Sequence, residues 1–571
     1  MPTPDLMFDH FYCHEEITSF LQALADNYPH LATLSSIGSS AEGRQIWCLT
    51  ISNKETGAHE DKPAIYVDGN IHAGEVTASH VCLYTSLRLL QGFDTDEEIK
   101  YLLDHRTWYI LPRVNPDGAE LYLTSPYMLR SVTRKNPAWE TRVPGALYPE
   151  DLDGDGVVRF MRIKDPCGLW KVSLQDKRLL VPRQPADFIG EFYSLHLEGC
   201  IHDFSGGPIT AAPDHWHIDA NRNFPNGWQP NQGQNGLFPL SEEETLAMVR
   251  FVLDHPNIGA LQAYHTQSGA ILRPSSLKPD RDLPSQDIEV FNDLGAIGEK
   301  ITGYPCVSIM DGFLGGNPGR GIFADWAYDQ VGLLSYTTEL WDAKQKGGVK
   351  DRKEFSKSEF NEEHELAKLK LSDSEASGMG FKDWVPFDHP QLGLVEIGGW
   401  HPKFFAQNPW FTLLEDECAR NFRFSLQHCA ALPEIKAENL SMTRVENGVY
   451  RLCLDIANVG WLGTSVTERG KQLKTAKPIR VEISGEELTF LTGTPREEVD
   501  HLDGYRTNRE SWYTFGRSAP PRRQRIRLQW LVQGQGSCSI TVNASRAGTK
   551  RITVNLDDCN SGLCQDHLEI I

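Results

Sequence analysis

Three apolar segments, far apart in the chain, each end at residues that can bind a metal ion or transfer a proton. The segment 64–67 is followed by His72 and Glu75, the segment 259–264 by His265, and the segment 333–338 by Glu339. Short apolar runs bounded by glycine or polar residues are typical of buried β-strands. Strands that end at one edge of a sheet would bring these side chains together. The pattern predicts an α/β fold with its chemistry at strand ends.

The residue types fit a catalytic zinc site. Catalytic zinc takes three protein ligands, commonly two imidazoles and a carboxylate, and leaves a fourth position for water. His72, Glu75 and His265 supply this set, and Glu339 remains for proton transfer. Glu75 is expected to open a helix, where a carboxylate suits the positive end of the helix dipole. The His-x-x-Glu spacing alone is a weak signal, since 19 histidines in 571 residues give about one such pair by chance.

Further short motifs follow in one order. They are Asn-Pro-Asp-Gly at 115–118 after the strand-like 107–111, Asp-Ala-Asn-Arg-Asn-Phe at 219–224, Tyr-His at 264–265 and Thr-Glu-Leu at 338–340. With these motifs the chain resembles the zinc carboxypeptidases of the carboxypeptidase A type over roughly its first 345 residues. The resemblance implies a mixed twisted sheet sandwiched by helices and an enzyme that hydrolyses the C-terminal peptide bond of peptides.

The resemblance also implies a role for each candidate residue. It assigns one zinc ion to His72, Glu75 and His265, the general base to Glu339, and the grip on the substrate's free terminal carboxylate to Asn221 and Arg222. An arginine suits that grip because its planar fork binds a carboxylate through two parallel hydrogen bonds. An ion pair between Arg222 and Asp219 is the structural alternative.

Two features implied by the resemblance are less well defined. An arginine that stabilises the tetrahedral oxyanion is expected between 115 and 221, and Arg130 and Arg134 are both candidates. Arg130 is favoured because it follows an apolar run. The position of the family's mobile active-site tyrosine falls near Asn317, in a glycine-rich segment without a tyrosine. A different substrate clamp is therefore expected.

The preference for the C-terminal side chain has two sequence indicators. Ala324 falls where family members place the residue that separates basic from apolar side chains, and a small apolar residue there argues against a basic preference. Arg273, eight residues after His265, would instead favour an acidic side chain.

An insertion is predicted at about 137–217, because Glu75 and His265 are 190 residues apart, more than compact members of the family need. It contains the acidic segment 151–156, which resembles the start of a calcium loop. The twelfth position is Arg162, where such a loop requires a bidentate glutamate. An Asp-Gly turn is therefore favoured over a calcium site. The insertion either forms a wall over the substrate cleft or only packs against the rest of the domain.

The residue pattern of the sequence changes twice after the last of these motifs. The segment 344–372 is strongly charged and predicts a solvated helix or linker. Short alternating runs such as 449–456 and 526–532 predict an all-β sandwich after Pro433. We therefore predict a catalytic domain at 1–432 and an accessory domain at 433–571, which stabilises, dimerises or binds glycan.

Composition excludes several other classes. A net charge of −21 would repel the phosphates of nucleic acid. Neither a signal peptide nor a run of about 18 apolar residues is present, so a cytoplasmic location without a membrane partner is the expectation. The 12 cysteines are expected to be thiols, and only Cys559 and Cys564 are closely spaced. The expected partner is a peptide or small amide with a free C-terminal carboxylate.

Three functions are compatible with this pattern. A zinc carboxypeptidase is favoured because the motif order and wording resemble that family. The second is a zinc deacylase or amidase, similar to the aspartoacylase-like branch, that acts on N-acyl amino acids or modified peptides. The third is a binding protein that kept the fold, which an intact ligand set with Glu339 disfavours.

Overall fold

A computed structural model of the protein describes residues 4–349, 360–506 and 522–558. Its central sheet has eight strands in the order β1-β2-β4-β3-β5-β8-β6-β7. These strands are β1 (Ala32–Ser39), β2 (Gln45–Ile51), β3 (Ala64–Gly69), β4 (Thr107–Leu111), β5 (Ile258–Thr266), β6 (Ala270–Arg273), β7 (Cys306–Ser308) and β8 (Leu334–Leu340). Strand β3 pairs in parallel with β4 and β5, and β5 with β8, whereas β1, β2 and β4 pair antiparallel. The predicted mixed sheet is confirmed.

The central strands are mostly apolar because both faces of the sheet are covered. Every residue of β3, β4 and β5 is buried. Alternate side chains enter different clusters, so that Ile65 and Val67 pack on one face and Tyr66 on the other. The α-helices of the described chain are His14–Asn27, Val76–Gly92, Glu97–His105, Pro116–Thr124, Pro137–Glu140, Glu243–Asp254, Ser285–Thr302, Phe323–Trp326, Ala343–Lys346, Glu362–Glu375, Phe411–Ala430 and Glu468–Leu473.

The segment predicted as an insertion forms two further sheets. One has three strands, in the order Gly199–Ile201, Ala146–Pro149 and Thr210–Ala211. The other has six, in the order Phe381–His389, Gly393–Trp400, Phe160–Lys164, Tyr193–Leu197, Trp170–Val172 and Leu180–Pro182. The second sheet joins the insertion to residues from 381 to 400, more than 150 positions downstream, so the insertion is anchored by pairing.

The described part of the C-terminal region consists mainly of β-strands, as predicted, with one short α-helix and two 3-10 turns. Its first sheet has the order Ile435–Glu446, Val449–Asn458, Arg525–Gln533 and Thr489–Thr492. Its second has the order Arg496–Val499, Ile479–Gly485, Ser537–Ala544 and Gly548–Asn555. All of these pairings are antiparallel, and the two sheets enclose one apolar cluster that includes Leu452, Ile540 and the buried Trp530.

The cysteines and the membrane-spanning potential of the helices can be assessed for the described residues. Ten cysteines are free thiols, while Cys559 and Cys564 lie outside the described residues. Among the helices at 4–349, 360–506 and 522–558, none is both long and apolar enough to cross a membrane.

Arg546 connects the C-terminal region to the loop before β8. Its side chain is 3% exposed, and its guanidinium donates to the carbonyl of Gly332 at 2.8 Å and to that of Val331 at 2.7 Å. Burial lowers the pKa of this guanidinium to about 10. Arg546 thus fixes the chain just before the strand that carries Glu339.

Replacing Arg546 with methionine is expected to lower the free energy of unfolding by about 2–4 kcal/mol, because the two buried carbonyls lose their donors. Urea denaturation followed by circular dichroism would measure the change. Arg551→Ala is the control, since Arg551 is 55% exposed in its ion pair with Asp61 and such pairs contribute about 0–1 kcal/mol. Equal effects of the two substitutions would contradict the assigned role of Arg546.

Candidate active site

The loop after β3 is shaped by two asparagines. Asn70 has a φ of 62°, a left-handed conformation that asparagine tolerates. Its Nδ2 donates to the carbonyls of His72 at 2.7 Å and Ala73 at 3.0 Å. From the far side, Nδ2 of Asn408 donates to the carbonyl of Gly74 at 2.8 Å. The loop is therefore held on both sides as it leads into the helix Val76–Gly92.

The other two candidate residues come from neighbouring strands. His265 on β5 and Glu339 on β8 are direct partners in a parallel register. Adjacent strands lie about 4.8 Å apart, so this register alone places the imidazole and the carboxylate side by side. The predicted convergence of strand ends is what the structure shows for these four residues.

Three donor groups meet at one point. The Nδ1 atom of His72 lies 2.8 Å from Oε1 of Glu75 and 3.1 Å from Nδ1 of His265. The Nδ1 atom of His265 lies 3.0 Å from Oε2 of Glu75. Ligand atoms around a tetrahedral zinc ion with bonds of about 2.0–2.2 Å lie roughly 3.3 Å apart. The donor set and its spacing therefore fit a zinc ion.

The buried Asp219 links one of these imidazoles to Arg130. Its Oδ1 lies 3.2 Å from Nε2 of His72, and its Oδ2 accepts a hydrogen bond from Nε of Arg130 at 2.9 Å. Despite burial, the charges of His72 and Arg130 hold the pKa of Asp219 well below its usual range. A carboxylate behind a metal-binding histidine fixes the ring and raises its basicity.

The two glutamates differ in their protonation. Burial alone would raise the pKa of Glu75, but His72 and His265 outweigh it and lower the value to about 2. Burial, reinforced by the charge of Glu75, raises the pKa of Glu339 to about 8. A divalent cation among the donors would oppose both effects on Glu339. Such a cation would therefore favour the carboxylate form of Glu339.

Glu75 and Glu339 line a cavity of about 490 Å³, called here the catalytic cavity. Its polar wall includes His72, Glu75, Arg130, Asn221, Arg222 and Glu339, and its apolar wall includes Met128, Leu272, Ile309, Phe313, Leu314 and Ile322. Arg222 has no ion-pair partner among the described residues, and its Nη1 donates to the carbonyl of Asn221 at 2.8 Å. The alternative ion pair with Asp219 is not formed. The Oδ1 of Asn221 accepts from the backbone N–H of Phe323 at 2.9 Å.

Three other predicted residues lie outside the lining of the catalytic cavity. Arg134 pairs with Glu242 at 3.0 Å and with Glu243. Arg273 pairs with Asp280, and Ala324 is buried. The structure thus brings Arg130, and not Arg134, to the metal-binding group. The segment near Asn317 contributes Phe313 and Leu314 to the cavity, and none of its described lining residues is a tyrosine.

The acidic segment 151–156 forms a turn. Asp151 accepts hydrogen bonds from the backbone N–H groups of Gly154 and Gly156, both at 2.8 Å. Lys382 binds Asp153 at 2.6 Å and Asp155 at 2.8 Å. Asp151, Asp153 and Glu198 are close enough to hold a cation, but Asp153 already binds the ammonium of Lys382 and Glu198 accepts hydrogen bonds from backbone N–H groups.

Three residues that contribute to the site are not identified from the sequence. Asp219 stands two positions before Asn221 in the motif at 219–224, where the sequence suggests it only as an ion-pair partner for Arg222. Gln407 and Pro402 line the cavity from a segment after the six-stranded sheet, and no motif marks them. The signal for Asp219 was present in the sequence, whereas that for Gln407 was not.

Two family models match separate regions of the chain. The family model described as zinc carboxypeptidase matches residues 17–155 and 206–363, more than half of the chain. The gap between these segments lies within the predicted insertion. A second model, described as a domain of unknown function, matches residues 434–555.

Individual relatives match in part. Carboxypeptidase D of Anas platyrhynchos is 33% identical over 108 residues, which cover 19% of this chain and 8% of that protein. Carboxypeptidase A2 of Rattus norvegicus is 25% identical over 349 residues, which cover 59% of this chain and 63% of that protein. The chain thus spans less than two thirds of each of these relatives. The solved structure of thrombin activatable fibrinolysis inhibitor aligns with a TM-score of 0.44 and 18% identity over 74% of each chain.

Proposed function

The chain belongs to the zinc carboxypeptidase family, and we propose on that premise that it is a zinc-dependent carboxypeptidase that removes an apolar residue from the free C-terminus of peptides. One observation carries the proposal. A single cavity is lined by two of the donor groups, His72 and Glu75, together with Glu339 and Arg222, whose guanidinium has no ion-pair partner among the described residues. The third donor group, His265, contacts both His72 and Glu75.

In this proposal His72, Glu75 and His265 hold one zinc ion per chain. Zinc bound to such a set lowers the pKa of water to about 7 and polarises a carbonyl group. Glu339 takes a proton from the attacking water and delivers it to the leaving amine, a role worth about 10²- to 10⁴-fold in rate. Its register opposite His265 supports this role.

Arg130 and Arg222 each bind one of two negative charges in the reaction, the developing oxyanion and the terminal carboxylate of the substrate. Arg130 lies at the donor group, 3.7 Å from Glu75 and bound to Asp219, and it stabilises the developing oxyanion. Arg222 and Asn221 hold the terminal carboxylate. The contact of Asn221 with Phe323 uses its carbonyl oxygen, which leaves its amide group to donate to a substrate.

The apolar wall of the catalytic cavity supports a preference for apolar C-terminal side chains. Leu272, Ile309 and Ile322 belong to this wall, whereas Arg273 is neutralised by Asp280 outside it. An acidic or basic side chain would lose its hydration there without a partner of opposite charge.

We further propose that residues 1–432 form the catalytic unit and residues 433–571 an accessory one. The candidate catalytic, metal-binding and substrate-binding residues precede position 340, and the other lining residues of the catalytic cavity precede position 408. The described part of the later region, 433–506 and 522–558, has its own apolar cluster and contacts the loop before β8 through Arg546. These contacts support a stabilising role.

Replacing Arg222 with alanine is expected to lower kcat/KM for a free-acid peptide by at least about 30-fold, mainly through KM, because a charge-assisted pair with the terminal carboxylate is lost. The same peptide with an amidated C-terminus should change little. Parallel assays of both peptides give the ratio that reports carboxylate recognition.

Arg134→Ala is the control, since Arg134 pairs with Glu242 away from the cavity. It should keep the wild-type preference for the free acid. If Arg222→Ala also keeps that preference, the carboxylate is recognised elsewhere, and the result favours the deacylase or amidase alternative.

A further inference from the structure

A second cavity, of about 720 Å³, opens beside the catalytic cavity and is called here the insertion cavity. The two cavities share the lining residues Met128, Arg130, Pro402 and Gln407. We propose that the insertion cavity binds a large apolar side chain of the residue that precedes the scissile bond. This inference rests on the proposed carboxypeptidase function and names its substrates as peptides with an aromatic or large aliphatic residue at that position.

The order of residues along the two cavities gives the direction of the substrate. Arg222 lines the catalytic cavity and not the insertion cavity, whereas Arg130 lines both. A terminal carboxylate at Arg222 and a scissile bond at the donor groups leave only the acyl side of the substrate to extend past Arg130. Asp219, which binds both His72 and Arg130, also lines the insertion cavity. The acyl side therefore reaches the insertion cavity.

The wall of this cavity is mostly apolar, and part of it faces solvent. Leu147, Val158, Phe160, Leu197 and Ile209 line it. Leu197 and Met128 are each 44% exposed, so a ligand that covers them would remove apolar surface from water. A concave site of this size whose wall is mostly apolar is typical of ligand pockets.

Aromatic residues hold one side of the cavity in place. The ring of His215 stacks between Trp139, at 4.5 Å and an angle of 1°, and Trp216, at 4.0 Å and 17°. Asn136 fixes this stack, because its backbone N–H donates to the carbonyl of His215 at 2.7 Å. The guanidinium of Arg142 lies 5.1 Å from the ring centre of Trp139. A wall that is rigid before binding loses little entropy when a ligand enters.

The charges of the lining disfavour an acidic side chain. Arg130 is paired with Asp219 at 2.9 Å, and Asp214 adds a negative charge. Burial lowers the pKa of both His196 and His215, which keeps them neutral near pH 7. The described lining thus offers an acidic group no unpaired cation, whereas an apolar side chain has no charge to desolvate.

The test compares two substrates that share a C-terminal phenylalanine and differ only in the preceding residue. They are acetyl-tryptophyl-phenylalanine and acetyl-glycyl-phenylalanine. We expect kcat/KM to be about 10- to 100-fold higher for the tryptophan peptide, because only its side chain can be buried in the insertion cavity.

Leu197→Glu should reduce this ratio to below about threefold, because it places a charge in the apolar wall. Leu394→Glu is the matched control, since Leu394 is a 73% exposed leucine of the same six-stranded sheet and lies outside the cavity lining. It should keep the wild-type ratio. Thermal denaturation of both variants would show that each is folded.

The outcomes separate the inference from the function on which it rests. Hydrolysis of both peptides with equal kcat/KM would overturn the insertion-cavity assignment and leave the carboxypeptidase proposal intact. Hydrolysis of neither would overturn the carboxypeptidase proposal. If neither peptide is hydrolysed, calorimetric titration of zinc-loaded Glu339→Gln protein with both peptides decides whether the insertion cavity binds the tryptophan side chain. A Kd for the tryptophan peptide at least about tenfold lower supports the assignment, and equal Kd values refute it.

Discussion

Purified His265→Ala protein is expected to contain far less zinc than the wild type and to show no measurable peptidase activity. Wild-type protein should contain about one zinc ion per chain, because three donor groups meet within 3.1 Å of one another. Loss of a residue that only supports a ligand costs about 10- to 100-fold in metal affinity, so loss of a direct ligand should cost at least about 10²-fold. His72→Ala should behave in the same way.

Metal analysis after dialysis, with an activity assay on the same samples, checks this expectation. His255→Ala is the control, since His255 stacks on Phe251 at 4.1 Å and lies outside the catalytic cavity. It should keep both zinc and activity. Tight zinc binding by either His265→Ala or His72→Ala would assign the metal to another set of residues, and absence of zinc from reconstituted wild-type protein would contradict the site itself.

The fold was predictable because strand burial leaves a strong mark on sequence. The predicted run 64–67 lies within β3, and 333–338 overlaps β8. Strands that are covered on both faces are rich in apolar residues, which makes them visible in the sequence. The alternating runs of the C-terminal region predicted its β-sandwich because its strands are covered on one face only. One face of each strand there meets a core and the other meets solvent.

The metal-binding group was predictable because its chemistry restricts the residue types. His72 and Glu75 are close in sequence, and parallel strands deliver His265 and Glu339 to the same edge. Arg130 and Arg134 could not be separated in this way, since both follow the same run. The structure separates them through partners far away in sequence, because Asp219 binds Arg130 and Glu242 binds Arg134.

The insertion cavity shows what the sequence left open. Its walls include residues of the insertion together with Pro402 and Gln407, which follow the strand Gly393–Trp400. Pairing of that strand with Phe160–Lys164 links these segments. Neither segment carries a sequence motif that predicts contact with the other, so the shared cavity is found only in the structure. The proposed substrate preference depends on contacts of this kind.

Replacing Glu339 with glutamine separates chemistry from metal binding. The amide has nearly the shape of the carboxylate, and Glu339 is not one of the three donor groups, so zinc content and the denaturation midpoint should stay close to the wild-type values. The catalytic rate should fall by at least about 10²-fold, because a neutral amide cannot accept the proton of the attacking water or deliver it to the leaving amine. Steady-state kinetics at matched zinc content measure the loss.

Two further observations make the Glu339→Gln result specific. Glu242→Gln alters a buried carboxylate that lies outside the catalytic cavity and pairs with Arg134, and it should keep kcat within about threefold of the wild type. For Glu339→Gln, KM should change little, since the loss lies in a proton transfer made only in the transition state. Loss of zinc from this variant would make Glu339 a metal ligand. Retained turnover with full zinc content would assign the general base to another residue.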